Sequence, residues 1–269
     1  MMEIIKLDVI DIIQEHTIAD DESMKSRFVQ HIKHLYQYAI FKDLLDLVAT
    51  KASQNSLTFN IKEKKQFDLD EGNCKTINAP LIDSVLNHFR ENKHYVITIK
   101  KIEYNVIIHE IAHMVEQELN LDLSDFIEFL HHDFQNDNNI ITVKNAINEV
   151  LIKQVARYSI SQQNSELFAR FFQLFAEAKE ISGYQTKYKY NIEDINKALI
   201  NSAKWAKQTL GKLMQAKLDA NIVNFTKSYI KQIQNINHNW AEQKVQKLHS
   251  DTGSKNVKWT KAVKSIKDI

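Results

Sequence analysis

Glycine and proline are scarce in this chain of 269 residues, with four and one copies respectively. Because these residues mark tight turns and interrupt helices, their scarcity predicts mostly helical structure and excludes an all-β fold. Apolar residues make up 43% of the sequence and charged residues 26%, which is enough for a large buried core in one or two domains. The composition therefore predicts a globular protein dominated by helices.

Cysteine is nearly absent as well, since Cys74 is the only one. A single cysteine excludes an intramolecular disulfide and any metal site built from several thiolates. Histidine and carboxylate side chains are then the ligands available to a bound metal ion. We interpret Cys74 itself as a neutral loop residue beside Gly72.

Long hydrophobic runs are also missing. No stretch reaches the roughly 18 uncharged apolar residues that a membrane-spanning helix requires. Residues 1–14 have no basic region, and acidic residues interrupt their apolar positions, so we expect no Sec signal. These features lead us to expect a protein that acts in a cytosol.

Arginine is absent from residues 184–269, whereas lysine occurs there 16 times. With six acidic residues this segment carries a net charge of +10, which leaves −9 for residues 1–183 out of a total of +1. A substrate-docking arm fits this charge, as does a module that binds nucleic acid or another acidic surface through lysines interleaved with Trp205, Trp240 and Trp259. The lysines are spread around the predicted helices, so nucleic-acid binding is the less favoured alternative.

The apolar pattern of the chain changes along its length. Residues 1–55 keep apolar side chains three and four positions apart, which predicts helices. Residues 56–61 and 94–102 alternate and are rich in β-branched side chains, which predicts strands. Between them, residues 68–80 are rich in turn formers and residues 81–89 fit a short helix. The remainder shows helical spacing, so the second predicted strand leads directly into a helix.

That helix, residues 106–119 (VIIHEIAHMVEQEL), contains the pattern HExxH. His109 and His113 lie about one turn, roughly 5 to 6 Å, apart on one face, so both imidazoles can bind one metal ion. Glu110 projects beside the open coordination position, where it can act as a general base toward water. Glu116 shares the histidine face and can orient an imidazole. The pattern favours a zinc-dependent peptidase.

A catalytic zinc ion needs a third protein ligand in addition to water. The metzincin pattern HExxHxxGxxH is excluded, because Glu116 and Leu119 occupy the positions of its glycine and last histidine. An ion pair between Glu166 and Arg170, one turn apart, would explain their segment without any metal. The candidates that remain open are carboxylates and histidines further along the chain, namely Glu128, His131, His132, Asp133, Glu149 and Glu166.

The segments HEIAHMVE and ARYSISQQNSELFARFFQLFAE resemble the catalytic domain of anthrax lethal factor and related bacterial toxin metalloproteases. In that family a helix of the form E-x-F-A-x-x-F supplies the glutamate ligand, and a tyrosine shortly before it stabilises the oxyanion. The resemblance implies that Glu166, in ELFARFF, is the third zinc ligand and that Tyr158 is the oxyanion donor. It covers only the centre of a zincin domain, so it implies fold and activity and not a substrate.

We therefore predict an α+β, predominantly helical fold with a small sheet. It comprises an N-terminal helical segment (1–55), a zincin-like catalytic core (56–183) and a lysine-rich helical segment (184–269). In zincins an edge strand beside the motif helix pairs with an extended substrate.

The activity implied is zinc-dependent endopeptidase cleavage of a protein. The resemblance to toxin proteases further implies a host cytosolic protein, reached through a dedicated secretion system. A zincin that binds metal and serves as an inactive scaffold is the remaining alternative.

Overall fold

A computed structural model describes five parts of the chain, residues 8–65, 70–82, 89–135, 141–183 and 189–217. They belong to one compact unit, Met1–Leu218, and the second unit, Asp219–Ile269, lies outside the described residues. The fold is α+β and predominantly helical with a small sheet, as predicted. Trp240, Trp259 and most of the lysine-rich segment fall outside the described part.

Along the sequence, helices come both before and after the central strands of the sheet. Those before its central strands are α1 (Val9–Glu15), α2 (Glu22–Leu35) and α3 (Ala39–Ser53). Those that follow the sheet are α4 (Tyr104–Leu119), α5 (Ser124–Phe134), α6 (Ile141–Ile147), a π-helical segment (Asn148–Lys153) and α7 (Ile160–Ala176).

The described chain then continues through α8 (Lys179–Ser182), α9 (Ile192–Ala198), α10 (Ile200–Trp205), a π-helical segment (Ala206–Leu210) and helical residues 211–217. Tyr190, Leu199, Trp205 and Leu210 from this stretch are buried in the same core as α4 and α7. None of the helices in the described ranges has both the length and the apolar character needed to cross a bilayer.

The described residues form one sheet of four strands: β1 (Thr17–Ala19), β2 (Leu57–Ile61), β3 (Gly72–Ile82) and β4 (Phe89–Ile99). Their order is β1-β2-β4-β3, with β1, β2 and β4 parallel and β3 antiparallel to β4. β2 and β4 confirm the two predicted strands, although β4 begins and ends earlier than the predicted residues 94–102. Their buried residues alternate along the chain because one face packs on the core. β1 corrects the prediction of helices throughout residues 1–55.

β3 overturns the prediction of turns for residues 72–80 of the segment 68–80, of which residues 68 and 69 lie outside the described chain. It pairs with β4 along its whole length, from Gly72 opposite Ile99 to Ile82 opposite Phe89. Residues 75–77 are exposed, so this edge strand lacks the apolar alternation that identifies a half-buried strand in a sequence. The short helix predicted over residues 81–89 is wrong at both ends, because residues 81–82 belong to β3 and Phe89 begins β4. Residues 83–88 lie outside the described chain.

A strand leads directly into the motif helix, as predicted, because β4 is followed by α4. β4, which precedes α4, lies between β2 and β3. The edge strand that contacts α4 is β3, since Thr76 donates a hydrogen bond to Gln117. The neighbour of the motif helix is therefore an antiparallel strand that the sequence did not reveal.

Helices α4 and α7 pack against each other and carry the polar groups of interest. On α7, Phe168, Phe171, Phe172 and Phe175 are buried. Phe126 of α5 meets two of these rings edge-on, with centroids 5.6 Å from Phe168 and 5.4 Å from Phe171. Such aromatic contacts bury large areas in a defined geometry. They hold α7 against α5.

Glu118, near the end of α4, is a buried carboxylate with three partners. It accepts hydrogen bonds from the Tyr95 hydroxyl at 3.0 Å and from Lys51 Nζ at 3.3 Å, and Lys217 Nζ lies 2.9 Å away. Burial acts to raise the pKa of Glu118, but the hydrogen bonds and charges of Lys217, Lys51 and Tyr95 outweigh it and lower the pKa. The cluster ties three other parts of the fold to the motif helix.

Glu118→Gln is expected to lower the free energy of unfolding by roughly 2 kcal/mol at pH 7, because a hydrogen-bonded charge is lost. A lowered folded-state pKa stabilises the fold above the ordinary value of 4.5, and this stabilisation is lost as the pH falls through the folded-state pKa. Urea unfolding at pH 7 and again at a pH below the folded-state pKa of Glu118 measures both effects. The matched control is Glu193→Gln, which removes an exposed partner of Lys197. The lowered pKa of Glu118 would be contradicted if the loss of unfolding free energy in Glu118→Gln were as large at the acidic pH as at pH 7.

Candidate metal centre

Two helices bring three potential metal ligands together, His109 and His113 from α4 and Glu166 from α7. The two Nε2 atoms lie 3.2 Å apart. Nε2 of His109 is 3.6 Å from Glu166 Oε2, and Nε2 of His113 is 3.5 Å from Glu166 Oε1. Within the described ranges, no other group of three histidine, cysteine or acidic side chains has its ligand atoms within 4.8 Å of one another.

These separations, with one carboxylate oxygen facing each histidine, are close to those between the ligands of a tetrahedral zinc ion. Zinc bonds of about 2.0 to 2.2 Å place neighbouring ligand atoms roughly 3.3 to 3.6 Å apart. Glu166 Oε2 is buried and has no hydrogen-bond partner among the described residues. An unsatisfied buried acceptor costs about 1 to 3 kcal/mol, and a bound cation would remove that cost. The donor set and its spacing therefore suit zinc.

The charges of the cluster also suit a cation. Burial alone would lower the pKa of His113, but the Glu116 and Glu166 carboxylates outweigh it and raise the pKa to about 9. Burial, followed by the charges of His113 and Arg170, lowers the pKa of His109 well below its usual range. The carboxylates that raise the pKa of His113 would equally favour a metal cation at the Nε2 atoms.

Glu116 reaches His113 through Ser165, a residue that the sequence analysis did not single out. Ser165 Oγ lies 3.0 Å from His113 Nδ1 and donates a hydrogen bond to Glu116 Oε2. Glu116 Oε2 itself is 3.6 Å from His113 Nδ1. Contacts of this kind on the outer ring nitrogen leave the inner nitrogen free to bind metal. The only sequence signal for Ser165 is its position beside Glu166.

Glu110 is buried between α4 and β3, with 7% of its surface exposed. Burial is the main cause that raises its pKa to about 7, and the Glu166 and Asp70 carboxylates add to the effect. Gly72 lies directly against it, because a Cβ atom there would come within 2.9 Å of Glu110 Cγ. The glycine therefore makes room for the Glu110 side chain. A carboxyl group that titrates near neutral pH is suited to proton transfer.

Cys74 lies in β3 and is partly buried, so the prediction of a loop position is wrong. Burial, followed by the charges of Glu110 and Glu116, raises the pKa of its thiol to about 12. The thiol is accordingly neutral, and its reactivity is suppressed.

The ion pair that offered a metal-free explanation for Glu166 exists in the structure. Arg170 Nε lies 3.4 Å from Glu166 Oε2. The pair is not solvated, because only 11% of the Glu166 side chain and 10% of the Arg170 side chain are exposed. The same carboxylate faces both histidines, so the ion pair and the ligand cluster coexist.

Tyr158 lies at the edge of this cluster and is 36% exposed. Its hydroxyl is 3.5 Å from Arg170 Nη2, so the Arg170 guanidinium contacts both Tyr158 and Glu166. The structure thus brings Tyr158 next to a site residue and leaves its ring accessible.

The other candidate ligands are engaged or exposed elsewhere. Asp133, near the end of α5, is fully buried and accepts hydrogen bonds from the backbone of Asn201 at 3.1 Å and of Ser202 at 2.9 Å, at the start of α10. Glu149 pairs with Lys153. The remaining candidates are exposed on α5, namely Glu128, His131 and His132. Glu166 is the candidate that the fold brings to the histidines.

Comparison of the chain with models of known protein families finds no match, and comparison with curated proteins finds none either. Inference about function therefore starts from the geometry of His109, Glu110, His113 and Glu166.

Proposed function

We propose that the protein is a zinc-dependent endopeptidase of the zincin type. The observation that carries the proposal is the convergence of His109, His113 and Glu166 at tetrahedral spacing beside the buried carboxyl group of Glu110. These three residues would hold zinc, which when bound supplies Lewis acidity toward a peptide carbonyl and acidifies water. The resemblance to toxin metalloproteases supports the same activity and suggests a host cytosolic protein as the substrate.

Glu110 performs the proton transfers in the proposed reaction. It takes a proton from the attacking water and gives it to the amine that leaves the cleaved peptide bond. Its burial keeps bulk water away, and Gly72 leaves room for its side chain. Tyr158 would donate a hydrogen bond to the oxyanion that forms at the scissile carbonyl. Glu116 and Ser165 keep the His113 ring oriented.

The edge strand β3 supports an extended peptide as the substrate. Among the described strands it pairs only with β4, so no other described strand occupies its outer edge. Gly72, at its start, touches Glu110. A peptide that paired with this edge would run past the general base.

Glu110→Gln is expected to abolish proteolysis while zinc stays near one equivalent per chain, because the residue transfers protons and binds no metal. Loss of general acid-base catalysis alone costs roughly 100- to 10,000-fold in rate. Labelling of new protein termini in a cell lysate, with zinc determined on the same preparations, measures both effects. Glu128→Gln, an exposed carboxylate on α5, serves as the control. Undiminished cleavage by Glu110→Gln would refute the mechanism, and an inactive wild type that binds zinc would indicate a scaffold.

Glu166→Ala is expected to leave a two-histidine site that binds zinc far more weakly. The loss should exceed the roughly 10- to 100-fold that substitution of residues outside the ligand set causes. Competition with a chromophoric chelator gives the dissociation constant for zinc. The control is Glu149→Ala, which removes a candidate ligand that pairs with Lys153 instead, and it should change the dissociation constant for zinc little. Equal zinc affinity in Glu166→Ala and the wild type would reject Glu166 as a ligand.

A further inference from the structure

Arg170 lies one turn after Glu166 on α7 and is only 8% exposed. Removing a guanidinium from water is unfavourable unless its partners compensate for the lost hydration. Exposed ion pairs along a helix surface need no such burial and contribute little. The contacts of Arg170 should therefore show why the charge is kept inside the site.

Each nitrogen of the guanidinium faces a different part of the site. Nε lies 3.4 Å from Glu166 Oε2, and Nη2 donates to the Tyr158 hydroxyl at 3.5 Å. Nη1 donates to Gln154 Oε1 at 2.8 Å and to Gln173 Oε1 at 3.3 Å. The two glutamines thus hold the planar group from one side while its other nitrogens reach Glu166 and Tyr158.

The contact with Glu166 is electrostatic and does not occupy the carboxylate. Neither Arg170 Nε nor Glu166 Oε2 has a hydrogen-bond partner among the described residues. A bidentate fork would use both oxygens of a carboxylate, whereas this single contact leaves its lone pairs available to a cation. Arg170 can therefore fix Glu166 in position without competing with a metal ion.

We propose that Arg170 is a positioning residue that holds the Glu166 carboxylate and the Tyr158 hydroxyl in a fixed relation to each other. The inference rests on the proposed peptidase function, in which one residue binds the metal and the other stabilises the oxyanion. Lysine at this position would keep a positive charge beside Glu166 but lacks the fork that reaches Tyr158. The two roles of Arg170 can therefore be separated by substitution.

The first measurement is zinc affinity, determined by chelator competition on metal-free protein. Arg170→Ala should weaken zinc binding about 10- to 100-fold, and Arg170→Lys should restore most of that loss. Visible absorption of the cobalt-loaded proteins reports the ligand geometry independently of activity, and Arg170→Lys should resemble the wild type. Arg157→Lys, an exposed arginine next to Tyr158, is the matched control and should change nothing.

The second measurement is a double-mutant cycle with Tyr158→Phe, using a peptide that the wild type cleaves from a proteome-derived library. Tyr158→Phe should lower kcat roughly 100-fold, as loss of an oxyanion donor does. Arg170→Lys should lower kcat with little change in KM. The double variant should be no slower than Tyr158→Phe alone by more than about threefold, because both substitutions remove the same interaction.

The proposal would be overturned if the kcat losses of the two single variants multiplied in the double variant. It would also be overturned if Arg170→Lys regained kcat as well as zinc affinity. Wild-type affinity in Arg170→Ala would overturn it too. Thermal unfolding identifies any variant that fails to fold. If Arg170→Ala fails to fold, the measurements on Arg170→Lys still test the proposal. If the wild type neither binds zinc nor cleaves peptides, the proposed function fails and this inference with it. If the wild type does both, the cycle judges Arg170 alone.

Discussion

The packing of α7 against α4 is the constraint on which the site depends. Four buried phenylalanines on α7 and the apolar face of α4 share one core, which leaves a single way for the polar faces of the two helices to meet. At that meeting point Glu166 faces His109 and His113. A small rotation of either helix would separate the carboxylate from the imidazoles, so the apolar core sets the geometry of the polar cluster.

The burial of charge follows from that packing. Glu110, Glu166 and Arg170 are each more than nine-tenths buried, and His113 is held between two carboxylates. Such a concentration of ionisable groups is unfavourable for folding unless the charges offset one another. Strongly perturbed groups in one place are more characteristic of a functional site than of a structural ion pair. The proposed zinc site would provide a positive charge to offset the buried carboxylates.

The sequence predicted those parts of the molecule that local patterns encode. His109 and His113 follow from helical spacing, and the helical nature of most of the chain follows from the scarcity of glycine and proline. β3 could not be predicted, because an edge strand with a solvent-facing side resembles a turn-rich segment. Ser165 was equally hidden, since its contact with His113 joins residues that are far apart in the sequence.

The most direct test of the central claim is anomalous diffraction at the zinc absorption edge from crystals of the zinc-loaded protein. The account predicts one strong peak bonded to Nε2 of His109, Nε2 of His113 and the Glu166 carboxylate at about 2.0 to 2.2 Å. A peak at another position, such as the exposed histidines of α5, or a peak bound by the two histidines without Glu166, would contradict it.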